Sequence, residues 1–224
     1  MNRGMANNRQ LNLLKEMVKS GGPIRMEGMT YYVRNGKLQA CASKRGRRKV
    51  RTEKEVAAND RFSEVRTLWR MYRRAAGELP VWRMAAREAG AAKSDSLFHS
   101  LNGACVRAGE GVWAFPAFRF AAGSLEMPVV TGVAREGWRV TLEWEYDGAH
   151  AEARDGDRVY VGYFYGTQPQ VPQLAVAEGV CWKDGRVVVD IPPMGQPEGT
   201  PLHLYLFFGT ERNDRFSPSV YCPA

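Results

Sequence analysis

Near residue 128 the spacing of apolar side chains changes from a helical period of 3–4 residues to strict alternation. No all-α or all-β fold accommodates both patterns. Beyond Pro128, the apolar residues Trp138, Val140, Leu142, Trp144 and Tyr146 alternate with Arg139, Thr141, Glu143 and Glu145. Val159, Val161, Tyr163 and Tyr165 repeat the pattern. Successive strand side chains point to opposite faces of a sheet, so each set marks one buried face. Further strand segments are expected at 129–134, 173–182, 186–191, 202–208 and 217–222, with Lys183-Asp184-Gly185 joining two of them as a hairpin. Short strands broken regularly by turn residues give the pattern of an antiparallel β-sandwich of immunoglobulin or fibronectin-III type.

The first half is helical with one exception. Leu11, Leu14 and Val18 predict a short amphipathic helix over 7–19, ended by Gly21-Gly22-Pro23. The exception is Met29–Arg34, Asn35-Gly36 and Lys37–Cys41, because two residues tolerant of positive φ between β-favouring runs predict a type I′ hairpin. Thr52-Glu-Lys-Glu55 has the form of a capping box opening a helix to about Ala76, with Gly77 at its end. Phe62, Val65, Trp69, Tyr72 and Ala76 form its expected buried stripe. Pro80 is placed to open a second helix that Gly90 stops, and Ser94 to cap a third carrying Leu97, Phe98 and Leu101. The run from Trp113 to Phe120 predicts an aromatic connector packed at the junction of the halves. The expected fold class is α+β in two domains. Residues 1–122 form a mainly helical domain with a hairpin at 29–41, and residues 123–224 a seven-stranded antiparallel sandwich.

Charge divides at the same place. Residues 1–122 hold 24 of the 32 Lys+Arg and 10 of the 24 Asp+Glu, whereas residues 123–224 hold 8 and 14. The positive excess concentrates on Lys44, Arg45, Arg47, Arg48, Lys49 and Arg51, and on the helix face carrying Arg61, Arg66, Arg70, Arg73 and Arg74. Basic side chains of this density suit phosphate, from which they release condensed counterions. Tyr31 and Tyr32 on the hairpin could stack on unpaired bases. The acidic half offers a competing partner, in the same chain or in another copy.

The residues of chemistry are dispersed. His99, His150 and His203 lie far apart without zinc-ligand spacing, and no G-x-S-x-G, Walker A or G-x-G-x-x-G motif is present. Cys41, Cys105, Cys181 and Cys222 read as reduced thiols, with a Cys181–Cys222 bridge left open. Asp147, Glu152, Asp155 and Asp157 read as a solvated turn, a Ca²⁺ loop being the weaker alternative. No run approaches the length of a membrane span, and the first residues lack the form of a secretory signal, which makes a cytoplasmic location the default. The expectation is a non-enzymatic structural or protein-interaction protein, part of an assembly. It has no catalytic residues, cofactor, metal or small-molecule substrate. The alternative is a nucleic-acid-binding module using 44–51 and the Arg-rich helix at 52–76.

Several short segments carry a resemblance. They are Tyr32-Val-Arg-Asn35 with Gly36, the basic turn up to Arg51-Thr52, Asn59-Asp-Arg-Phe62, and the closing Ser217-Pro-Ser-Val-Tyr221. In these the chain resembles a group of bacterial proteins, frequent in Bacteroidetes, built on a domain of unknown function. The group reads R-T-x-x-Q where this chain has Arg51-Thr-Glu-Lys-Glu55. The resemblance implies a helical N-terminal region followed by a β-sandwich, and it carries over no catalytic residues.

Overall fold

The computed structural model describes residues 3–43, 50–146 and 155–224. The chain divides into two compact units, Met1–Arg51 and Thr52–Ala224.

In the first unit, α1 (Arg3–Gly21) precedes an antiparallel meander of β1 (Ile24–Met26), β2 (Met29–Arg34) and β3 (Lys37–Ala42). Asn35 and Gly36 take φ of 52° and 71° between the paired Arg34 and Lys37, as a type I′ turn requires. Glu27-Gly28 makes a second tight turn of the same hand, with φ of 49° and 75°. The core of this unit is thin. Across residues 11–43 only Val18 is buried. Leu11, expected on the buried stripe, is 52% exposed, and Leu13, Met17 and Met26 are exposed as well.

The second unit opens with three helices, α2 (Glu53–Ala76), α3 (Val81–Glu88) and α4 (Ser94–Asn102). The Thr52 hydroxyl accepts the Glu55 N–H at 3.3 Å while the Glu55 carboxylate accepts the Thr52 N–H at 2.9 Å, so the capping box forms in both directions. Gly77, at φ 56°, closes α2. Ser94 does not cap α4; it is the first helical residue, and Lys93 takes the cap position with no side-chain hydrogen bond. The stripe that α2 buries is Val65, Leu68, Tyr72 and Ala76, which leaves Phe62 exposed.

A small hairpin of β4 (Val106–Arg107) and β5 (Gly111–Val112) and the aromatic connector lead into two antiparallel sheets. One holds β6 (Val130–Glu136), β7 (Arg139–Trp144) and β10 (Arg186–Asp190) in the order β10-β7-β6. The other holds β8 (Arg158–Tyr165), β9 (Gln173–Cys181), β11 (Leu202–Gly209) and β12 (Val220–Pro223) in the order β12-β11-β8-β9. Every expected strand is present, but Lys183-Asp184-Gly185 does not close a hairpin. It carries the chain from one sheet to the other, because β9 pairs with β8 and β10 with β7. The crossover buries Trp182, whose carbonyl accepts the Trp144 indole N–H at 2.8 Å. Cys181 and Cys222 are free thiols, not a bridge.

The odd-numbered side chains of β8, among them Val159, Val161, Tyr163 and Tyr165, share one core with Val140, Leu142, Val187, Leu204 and Leu206. The even-numbered ones, with Tyr205 and Phe207 of β11, share another with Val65, Leu68 and Tyr72 of α2, Trp82 of α3 and Phe98 of α4. The four-stranded sheet is thus apolar on both faces, and the unit has three layers: helices, four strands, three strands. Phe118 and Phe120 of the connector lie in the helix–sheet core, where Phe120 contacts Tyr72, Phe164, Tyr205 and Phe207. Gly162 makes room for this ring, since a Cβ there would lie 2.4 Å from it. The charge boundary near Gly123 is therefore not where the compact units separate. Gly123 is itself packed so closely that an added Cβ would meet the Phe216 carbonyl oxygen. The break falls at Arg51, because the apolar outer face of the sheet needs the helices as its cover.

Candidate functional site

Among the described residues, no three His, Cys, Asp or Glu side chains are grouped to hold a metal ion, and no helix is long and apolar enough to cross a membrane. The nucleophiles are turned to structural use. The Cys181 thiol is pushed up by burial and by the Asp184 carboxylate it contacts at 3.4 Å, which disfavours the thiolate. Ser217 is buried, accepts the Phe208 N–H and donates to the Pro218 carbonyl. The Ser219 hydroxyl accepts from both Phe120 and Ala121. His203 meets the Tyr221 hydroxyl at 2.8 Å and lies flat on the Phe115 ring at 3.5 Å, and burial lowers its pKa.

The outer face of the three-stranded sheet forms a shallow cleft of about 550 Å³ around Gly132, Glu136 and Val188. Its charges are spent internally. Arg139 pairs with Asp190 at 2.8 Å and Arg186 with Glu143 at 3.6 Å across adjacent strands. Arg139 holds the Asp190 carboxyl below the usual carboxylate range. The acidic excess of residues 123–224 is therefore partly neutralised there.

The helical layer is different. Between α2, α3 and the start of α4 lies an open cleft of about 1000 Å³, and between α2 and α4 a second of about 780 Å³. Trp69, Arg73 and Asp95 line both, so the two clefts adjoin, and the pair is termed the groove. The α2 arginines reach it because Arg66, Arg70 and Arg73 stand at i, i+4 and i+7, one stripe of a 3.6-residue helix. Arg83 and Arg87 enter at i, i+4 from α3, and Lys93 from the cap of α4. Among the described residues, none of these six cations has a carboxylate at ion-pair distance. Arg70 instead donates to the Thr67 hydroxyl at 3.0 Å. The lining carboxylates are Glu78 and Asp95, and Asp95 accepts the Ser96 N–H of its own helix at 2.9 Å.

Aromatic rings separate the cations. Phe62, 47% exposed, meets the His99 ring at 4.8 Å and lies 5.9 Å below the Arg66 guanidinium. Trp69 is half-buried and stacks on Tyr72 at 5.9 Å. Behind it, the Tyr72 hydroxyl and the Trp82 indole N–H are buried without a hydrogen-bond partner, as is Nε2 of His99. Burial pushes the Tyr72 phenol above the ordinary tyrosine range, so it stays a neutral donor.

Of the residues singled out in the sequence, Arg66, Arg70 and Arg73 come together in this groove, whereas Arg74 falls outside it and donates to Met71. Arg51 lies exposed just before the capping box. Lys44, Arg45, Arg47, Arg48 and Lys49 lie outside the described residues, as do Asp147 and Glu152. Sequence reasoning missed Arg83, Arg87 and Lys93. The i, i+4 pair on α3 was visible, but not the neighbour it would face. No family model matches this chain, and no curated protein matches it either.

Proposed function

We propose that the protein is a non-enzymatic subunit of an assembly, and that residues 1–51 hold it to its partner. The observation that carries this is the thinness of the first unit. A unit of this length with one buried residue among 11–43 gains too little from burial to offset its conformational entropy unaided. Its exposed Leu11, Leu13, Met17 and Met26 are the surface a partner would cover. The unit carries 13 Lys+Arg against two Asp+Glu, whereas residues 52–224 carry 19 against 22. Opposite signs make a second copy a suitable partner, by contacts of the head-to-tail kind.

In the same reading, the two sheets form an immunoglobulin- or fibronectin-III-like sandwich. Its first, second and fifth strands share one sheet and its third, sixth and seventh the other, which supports that assignment; the fourth departs from the constant-type immunoglobulin pattern by joining the second of these sheets. Such a sandwich presents loops and edges to partners and prescribes no chemistry.

Analytical ultracentrifugation of the full chain in low salt tests the proposal. A species heavier than the 25.1 kDa monomer is expected, dissociating with added salt and with the paired change Leu13→Lys and Met17→Lys. Both positions are exposed, so the variant keeps its fold. A monomer at all concentrations and salts, for the parent chain, overturns self-association.

A further inference from the structure

We propose that the groove between α2, α3 and α4 binds single-stranded nucleic acid, with phosphates on Arg66, Arg70, Arg73, Arg83, Arg87 and Lys93 and bases against Phe62 and Trp69. Two independent properties of the groove point to this ligand.

The first is unspent charge. Six cations share a single groove, and no described carboxylate is within ion-pair distance of any of them. Elsewhere on the same unit exposed arginines pair with carboxylates across strands, as Arg139 and Arg186 do. With only Glu78 and Asp95 among the lining carboxylates, the six cations leave the groove a net positive charge, and an external polyanion relieves it by releasing its own counterions. Arg66 to Arg73 alone cover about 10 Å of helix rise, more than one phosphate group occupies.

The second is shape. Pockets for small ligands are enclosed and mostly apolar, whereas this groove is open, its two clefts meeting at Trp69 and Arg73. Duplex DNA is read by an element that protrudes into its major groove, and here the cations line a recess instead. A recess walled alternately by guanidinium groups and rings suits an unpaired strand, whose bases stack while its backbone follows the charge. The rings of Tyr72 and Trp82 form the floor of the larger cleft, with the Tyr72 hydroxyl and Trp82 indole N–H buried beneath it.

The test is fluorescence anisotropy of a labelled oligo-dT of about 20 nucleotides with the full chain, starting near 50 mM salt. Binding is expected to weaken by about 0.7 log units per phosphate contacted for each tenfold rise in salt. The triple change Arg73→Ala, Arg83→Ala, Arg87→Ala should weaken it at least tenfold and flatten the salt slope by about 2. Replacing the same three residues with Lys should restore most of the affinity, which separates lost charge from a lost fold. Phe62→Ala should weaken binding while leaving the salt slope unchanged, the signature of a stacking contact. Arg74→Ala, outside the groove, should change nothing. The proposal is overturned by an undiminished affinity in the triple variant, by absence of binding, or by tighter binding of a duplex of the same length. Equal binding of heparin and oligo-dT, both indifferent to Phe62→Ala, would likewise overturn it in favour of a site for any polyanion.

Discussion

Adding one carbon at Gly162 tests whether helices and sheet share a single core. A Cβ at this position would sit 2.4–2.5 Å from three carbons of the Phe120 ring. Carbon atoms in contact prefer about 3.5–4.0 Å, so ring or strand must move by about 1 Å. The ring has nowhere to go: Phe120 is fully buried among Tyr72, Phe118, Phe164, Tyr205 and Phe207. Overpacking of this kind costs about 1–3 kcal/mol, and the reduced freedom of the unfolded chain offsets about 0.5–1 kcal/mol of it. A net loss of about 1 kcal/mol lowers the Tm of a unit this size by about 2–4 °C. Thermal unfolding followed by far-ultraviolet circular dichroism reads the helices, and tryptophan fluorescence reads both cores. For Gly162→Ala both transitions should move down together. In a Phe120→Ala background the same change should be close to neutral, because the carbon then enters vacated space. An unchanged Tm, transitions that separate, or additive losses in the double variant would refute the shared core.

Other consequences are as specific. Asn102 is fully buried, and its side chain donates to the Arg119 carbonyl at 3.0 Å and accepts the Arg119 N–H at 2.8 Å; Asn102→Leu should cost about 1–3 kcal/mol in urea unfolding. Ser219→Ala leaves the N–H groups of Phe120 and Ala121 without their acceptor and should cost a similar amount. Burial lowers the pKa of His203, so below its ordinary value of 6.5 the unfolded chain binds a proton that the folded chain refuses. Stability should therefore fall as pH drops below about 6.5, and His203→Phe should flatten that part of the profile measured by urea titration at several pH values. The Cys105 and Cys222 thiols are buried, and burial pushes Cys222 up to about 11. A thiol reagent at pH 8 should label Cys41 and Cys181 before them, and mass spectrometry finding Cys222 labelled first would contradict the packing.

What could be read from the sequence was whatever depends on near neighbours. The Thr52–Glu55 capping box, the Asn35-Gly36 turn and the alternation in β7 each involve residues a few positions apart, and all form, whereas β8 is buried on both faces and not on one. The errors concern what an element meets. Helical spacing located a stripe on α2, but its arc is set by the sheet beneath, which selects Leu68 and leaves Phe62 out. Lys183-Asp184-Gly185 has the chemistry of a tight turn, and nothing local says that the following strand belongs to another sheet. The sharing of one compact unit by helices and sheets had a visible sign. Val159–Tyr165 and Leu202–Phe208 are apolar at nearly every position, the mark of strands covered on both faces. Charge changes sign near Gly123, but charge lies on surfaces and does not report where cores end. The groove was half legible. The α2 arginines announced themselves by number, while Arg83, Arg87 and Lys93 join them only through the packing of α3 and α4.

The buried outer face of the four-stranded sheet also dictates an order of events during synthesis. The helices that cover it lie at 53–102, whereas β11 ends at Gly209 and the Ser219 hydroxyl that accepts from Phe120 comes 99 residues after it. At about 5–20 residues per second, the ribosome takes about 5–20 s to supply that stretch. Through this interval Val65, Leu68 and Tyr72 lack the complete four-stranded sheet that covers them. The second unit can close only when its last strand emerges, so a stalled or truncated chain leaves the ribosome with its largest aromatic surface still uncovered.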